Sequence, residues 1–168
     1  MITRHLCTSF AALALLVGPT AHAKQQFQFE SQTITVPDGF EVELVASTKL
    51  VSRPISGSFD EQGRLYVTDS SGSNEKVELQ LQNPKHRVLR LEDRDGDGKF
   101  DQSVVFADNM MFPEGCLWHE GSLYVSAPPS IWKLTDTNND GIADVREEWH
   151  EGKSTTPGSV CHNFVFNK

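Results

Sequence analysis

Apolar and polar positions alternate over short runs through most of this chain, the pattern of strands with one face buried. Residues 34–36 and 40–46 alternate on either side of the turn Pro37-Asp38-Gly39 and predict half-buried strands. Residues 55–59, 65–68, 87–91 and 103–107 predict four more, with Asp60-Glu61-Gln62-Gly63 as the turn between the first two. A second set follows at residues 116–118, 123–126, 131–134 and 145–149. Residues 24–33 are polar and predict a loose lead-in, and beyond the amino terminus no stretch sustains a helical period.

The two sets of four strands are copies. Asp93 to Asp101 reads DRDGDGKFD and Asp136 to Asp144 reads DTNNDGIAD, 43 residues later. Val88-Leu89-Arg90-Leu91 precedes the first and Ile131-Trp132-Lys133-Leu134 the second; Gly63-Arg64-Leu65-Tyr66-Val67 is echoed by Gly121-Ser122-Leu123-Tyr124-Val125. A period in the forties built from short strands is the signature of β-propeller blades, each a four-stranded meander. The expected fold is therefore all-β: a partial β-propeller of about two to three four-stranded blades over residues 34–153. Closed propellers need about four to eight blades, so the chain reads as the front part of a larger one. A self-contained β-sandwich is the weaker alternative, because it leaves the period unexplained.

In an up-and-down blade the connections after the second and fourth strands share one face, and the other turns share the opposite one. The first copy's loop between Val67 and Val88 exceeds its counterpart between Val125 and Ile131 by 15 residues. It shares a face with the connection Met110-Met111-Phe112-Pro113-Glu114-Gly115, and a long loop on a rigid scaffold marks that face for ligand binding. Glu114 is the nearest carboxylate there, with a structural role as its plainer reading. Trp118, Trp132 and Trp149 read as aromatics packing between blades.

The acidic turns lie on the opposite face. The spacing D-x-D-x-D-G with an acid at position nine resembles a calcium loop, in which alternate side chains converge and a glycine at position six permits the bend. The candidate ligands are Asp93, Asp95, Asp97 and Asp101 in the first copy, and Asp136, Asn138, Asp140 and Asp144 in the second. Glu147 fills position twelve in the second, where Val104 stands in the first. Asp-Gly pairs are also good hairpin turns, but crowding four acids into a bare turn costs stability unless a cation is present. Both sites would be structural.

Residues 6–17 are largely apolar after Arg4 and His5, and Ala21-His22-Ala23 supplies a signal-peptidase pattern, so residues 1–23 read as a signal peptide and the chain as exported, periplasmic or extracellular. No later segment is apolar enough to span a bilayer. The formal net charge of −8 argues against nucleic acid as a partner. After the signal only Cys116 and Cys161 remain, a candidate pair but no disulfide framework. His86, His119, His150 and His162 show no metal-ligand spacing and read as strand-end or surface residues. The chain has no G-x-S-x-G, P-loop or C-x-x-C-H motif.

Val36-Pro37-Asp38-Gly39-Phe40-Glu41-Val42, the run Phe59 to Val67, Arg90-Leu91-Glu92-Asp93, Val105-Phe106-Ala107-Asp108 and Ala127-Pro128-Pro129-Ser130-Ile131-Trp132 occur in order. Together they resemble the amino-terminal propeller of the membrane-bound dehydrogenase-like proteins of planctomycetes and verrucomicrobia, relatives of the glucose/sorbosone dehydrogenases. The resemblance covers residues 36–153. It implies a six-bladed parent that oxidises a sugar or alcohol, with pyrroloquinoline quinone or a downstream haem as acceptor. It also implies partners in the missing carboxy-terminal blades or domains, and carbohydrate as substrate. The family continues to a histidine-glycine-proline run where this chain has Ser154-Thr155-Thr156-Pro157 and a divergent tail, residues 154–168. His162 therefore receives no catalytic role, and this chain alone is expected to be inactive. The competing expectation is a non-enzymatic, calcium-stabilised module that binds glycan or protein.

Overall fold

The structure, a computed structural model, describes residues 24–29 and 32–151. The expected signal segment and the tail with Cys161 and His162 lie outside the described residues. The chain is all-β, with three antiparallel sheets, none of them closed, and it divides into two compact units between Glu43 and Leu44.

The first unit holds a hairpin of β1 (Lys24–Phe29) and β2 (Gln32–Pro37). Its register sets Phe27 opposite Ile34 and Gln25 opposite Val36. The lead-in is thus a strand rather than loose chain: Phe27 and Phe29 alternate with glutamines, and the alternation is completed by a partner rather than by a core.

The second unit holds the two copies, and each forms its own meander. β3 (Pro54–Phe59), β4 (Leu65–Asp69), β5 (His86–Glu92) and β6 (Gln102–Met110) pair in sequence order. So do β7 (Gly115–His119), β8 (Ser122–Ala127), β9 (Ser130–Thr135) and β10 (Val145–Glu151). The copies match down to an irregularity. Phe106 is an extra residue in the β5–β6 pairing and Trp149 in the β9–β10 pairing, at corresponding places; β5–β6 has a further shift between His86 and Val88.

The sheets pack on one another, approaching most closely where β3 meets β7. Between them lies the main core, with Tyr66, Val88 and Phe106 facing Leu123, Val125 and Leu134, all of them 1 % exposed or less. Burying each aliphatic or phenylalanine side chain in this set contributes about 1.5–3 kcal/mol. Tyr66 is held on two sides. The Phe106 ring meets it edge-on at 4.9 Å, and Trp118 stacks on it at 4.8 Å. Polar bonds lock the same joint: the Trp118 amide donates to Ser58 Oγ (2.9 Å) and its indole N–H to Glu61 Oε2 (2.6 Å). The first sheet also buries side chains on its other face, where Val67, Leu89 and Leu91 pack with Ala46, Leu50, Val51 and Phe100.

Two expectations about strands and loops fail. Residues 40–46 are not a strand, and Leu44 and Val45 are 48 % and 41 % exposed. Their alternation suits a sheet, but no strand pairs with them among the described residues. The long loop contains a short helix, α1 (Val77–Gln82), that the sequence hides because its apolar residues alternate with a period of two. Val77, Leu79 and Leu81 remain largely exposed, while Gln80 is the helix's buried residue.

Candidate functional site

The two acidic turns share one backbone path. Positions four and six take left-handed conformations in both: Gly96 (φ +77°) and Gly98 (+87°) in the first, Asn139 (+60°) and Gly141 (+96°) in the second. Carboxylates inside each loop accept the backbone amides that this path turns inward. The Gly98 amide donates to Asp93 Oδ2 at 2.9 Å and the Gly96 amide to Oδ1 at 2.8 Å. Led by the Gly98 bond, these amides hold the Asp93 carboxyl below the usual range. The Gly141 amide donates to Asp136 Oδ2 at 2.8 Å, and the Asp140 amide to Asp136 Oδ1 at 3.2 Å.

The turns differ in how they meet positive charge. In the first, oxygens of Asp93, Asp95 and Asp101 all lie within 4.8 Å of one another. Two oxygens on one calcium ion, each at about 2.4 Å, cannot be farther apart than about 5 Å, so this spacing fits a shared cation. Asp97 lies outside the triplet and accepts the Lys99 amide at 2.8 Å. No such triplet forms among Asp136, Asp140, Asp144 and Glu147. Arg90 takes its place in the second turn. This arginine, on β5 of the other sheet, ion-pairs with Asp136 (3.3 Å) and Glu92 (2.7 Å), with 8 % of its side chain exposed. Asp144 accepts the Thr137 amide and hydroxyl, and Asn138 Oδ1 accepts the Asp140 amide. Glu147 sits in β10 opposite Lys133.

The opposite face carries the long loop, and a histidine anchors it. His86, 1 % exposed, accepts the Ser71 amide at Nδ1 (3.0 Å), so its proton is on Nε2, which donates to Gln80 Oε1 (3.0 Å). Gln80 in turn donates to the Glu75 carbonyl at 2.7 Å. Burial lowers the His86 pKa and keeps the ring neutral, as this bonding requires. The sequence marks His86 as a strand-end residue, and it does open β5. Its buried anchoring role carries no spacing signal and was not legible.

Beside the loop, Leu81, Met110, Met111, Pro128 and Trp132 line a cavity of about 250 Å³, with Arg146 as its charged wall. The long loop and the connection after the fourth strand thus meet on one face, as the sequence implies. Glu114 is not in the cavity wall; it is half-buried, and its amide donates to the Ser126 carbonyl. Arg146 is already held by Asp108, through its carbonyl and carboxylate at 2.8 Å each. Among the described residues no carboxylate, histidine or cysteine lines the cavity. A tricarboxylate quinone needs several cations, and one ion-paired arginine does not fit it. The wall instead suits a small apolar group or the flat face of a ring against Trp132. Cys116 is buried in the core, its thiol directed to the Tyr66 carbonyl, and burial pushes its pKa up to about 11.

These features define a class: an all-β chain of tandem, register-matched four-stranded sheets with acidic turns on one side and a small apolar cavity on the other. The chain belongs to the family described as a domain of unknown function, DUF7133, which it matches over residues 27–164. No curated protein and no solved structure matches it.

Proposed function

We propose that this chain is the exported opening section of a larger β-propeller of the membrane-bound dehydrogenase-like kind, a structural portion without turnover of its own. One observation carries the propeller reading: the first sheet buries apolar side chains on both faces, Tyr66, Val88 and Phe106 on one and Val67, Leu89 and Leu91 on the other. A sandwich sheet buries one face, whereas a blade is covered on both. The closest approach of the sheets, at their first strands, agrees with blades that converge on an axis.

In this reading the first acidic turn holds calcium through Asp93, Asp95 and Asp101, and the Arg90 guanidinium neutralises the second turn at Asp136. The parent would oxidise a sugar or alcohol with a quinone or haem acceptor held by residues outside those described. A dye-linked sugar-oxidation assay, with and without added pyrroloquinoline quinone, tests this on the complete gene product. Quinone-dependent turnover by a longer parent, together with none by the 168-residue chain, is expected; turnover by the 168-residue chain itself would overturn the reading. The cavity beside Trp132, free of acid-base groups, favours a second reading, a calcium-stabilised module that binds glycan. Saturable sugar binding lost in Trp132→Ala, with no oxidation by any longer form, would select it.

A further inference from the structure

The joint between the two sheets can be written as three contacts at fixed register. Trp118, paired with Leu123, stacks on Tyr66 at 4.8 Å. The Ala143 amide in the second acidic turn donates to the carbonyl of the bulged Phe106 at 2.8 Å. Arg90, paired with Tyr66, reaches Asp136. Each contact has a counterpart on the first sheet, facing away from the second.

Phe59, paired with Leu65, stands where Trp118 stands, yet it is 61 % exposed, with the Phe100 ring 6.5 Å away. Ile55, at the bulge in the β3–β4 pairing, is 57 % exposed. Phe100 occupies the position of Ala143, and its amide donates to the Val45 carbonyl at 2.8 Å. Val45 therefore stands where Phe106 stands in the observed joint, on the outermost strand of the preceding sheet. Asp93 occupies the position of Asp136, within an acidic cluster that no cation from a preceding sheet reaches among the described residues.

We infer that the outward face of β3–β6 seats a further sheet of this repeat, and that residues 44–46 already provide its outermost strand. What is missing is three antiparallel strands. The second presents an aromatic residue to Phe59, and the third pairs with residues 44–46. This rests on the propeller reading above, and it assigns those strands to the last blade of the parent, so that the ring closes on this chain's own amino-terminal segment. A second copy of the chain is the wrong shape. Its β10 is a complete outermost strand, with Trp149 at the bulge, and it would meet the site that Val45 fills.

The test places a benzophenone amino acid at position 59, 45 or 118 of the gene product isolated from its own cells, and maps the photocross-links by mass spectrometry. Position 118 should link to β4 around Tyr66; failure there would overturn the joint between the two sheets from which the inference is drawn. With that link in place, position 59 should join a Leu-Tyr-Val-like strand lying outside residues 44–151, and position 45 the strand that follows it. The inference is overturned by a link from position 59 to Tyr124 of a second copy, to an unrelated segment, or to nothing.

Discussion

The two acidic turns offer an experiment with its control built in. Gly98 and Gly141 occupy the same position with φ of +87° and +96°. Alanine in that conformation costs about 1–2 kcal/mol at either site. A Cβ at Gly98 meets nothing within 4 Å, whereas at Gly141 it lies 2.6 Å from Arg90 Nη2 and 2.8 Å from Cζ. The far end of an arginine can move, so the additional cost is not the overlap itself but the displacement of the guanidinium, whose Nη2 holds Glu92 and whose Nη1 holds Asp136. Breaking a buried pair outright costs about 3–5 kcal/mol; with the guanidinium shifted and not removed, about 1–3 kcal/mol is expected here. Gly141→Ala should therefore lose about 2–5 kcal/mol and Gly98→Ala about 1–2 kcal/mol, each kcal/mol lowering Tm by about 2–4 °C. Urea unfolding followed by tryptophan fluorescence reads the difference, with the slope unchanged if the native state stays compact. Repeating both in an Arg90→Met background should bring the two costs together, because only Gly141 couples to the arginine. Equal costs in the wild-type background, or a Gly141 excess that survives Arg90→Met, would refute the Arg90–Asp136 latch.

Other consequences follow from the same contacts. Added calcium should raise Tm, and Asp95→Asn should abolish most of that rise; a melt indifferent to calcium and chelator would remove the cation from the first turn. Burial depresses the His86 pKa below its unfolded value of about 6.5, so the unfolded chain takes up the proton first. The contribution of His86 is complete above about pH 6.5 and declines as pH falls toward the lowered folded value. Amide exchange in residues 70–85 should accelerate over that window, and His86→Gln should flatten the dependence. The Cys116 thiol, with its pKa pushed up to about 11, should resist alkylation at pH 8 in the folded chain and react promptly in urea; rapid folded-state labelling at Cys116 would contradict the packing around Tyr66.

The strands were legible because their alternation is written along the chain, and all eight predicted in the two copies form. The repeat also located the turns and set the long loop on the same side as the connection after the fourth strand. Less was visible where a residue's role depends on something distant in sequence. Residues 40–46 alternate correctly, but a strand needs a partner, and none is present among the described residues. Lys24–Phe29 gains strand structure from the hairpin alone, with most of its residues exposed. The helix Val77–Gln82 runs against its own period of two, since the loop is organised by Gln80 and His86 rather than by an apolar stripe. Within the acidic turns the spacing identified Asp93, Asp95 and Asp101, which come together. It did not show that Arg90, 46 residues before Asp136, would cross from the neighbouring sheet to the second turn.

Consecutive blades of a ring and the halves of a sandwich differ in what lies beyond the outer face of the first sheet. An experimental structure of the complete gene product, by crystallography or electron microscopy, tests the difference most directly. The account predicts further four-stranded sheets around a common axis, with β3 and β7 lining it and Phe59 packed against another sheet. Two sheets closed on one core, with Phe59 turned to solvent and no further sheet beyond it, would contradict it.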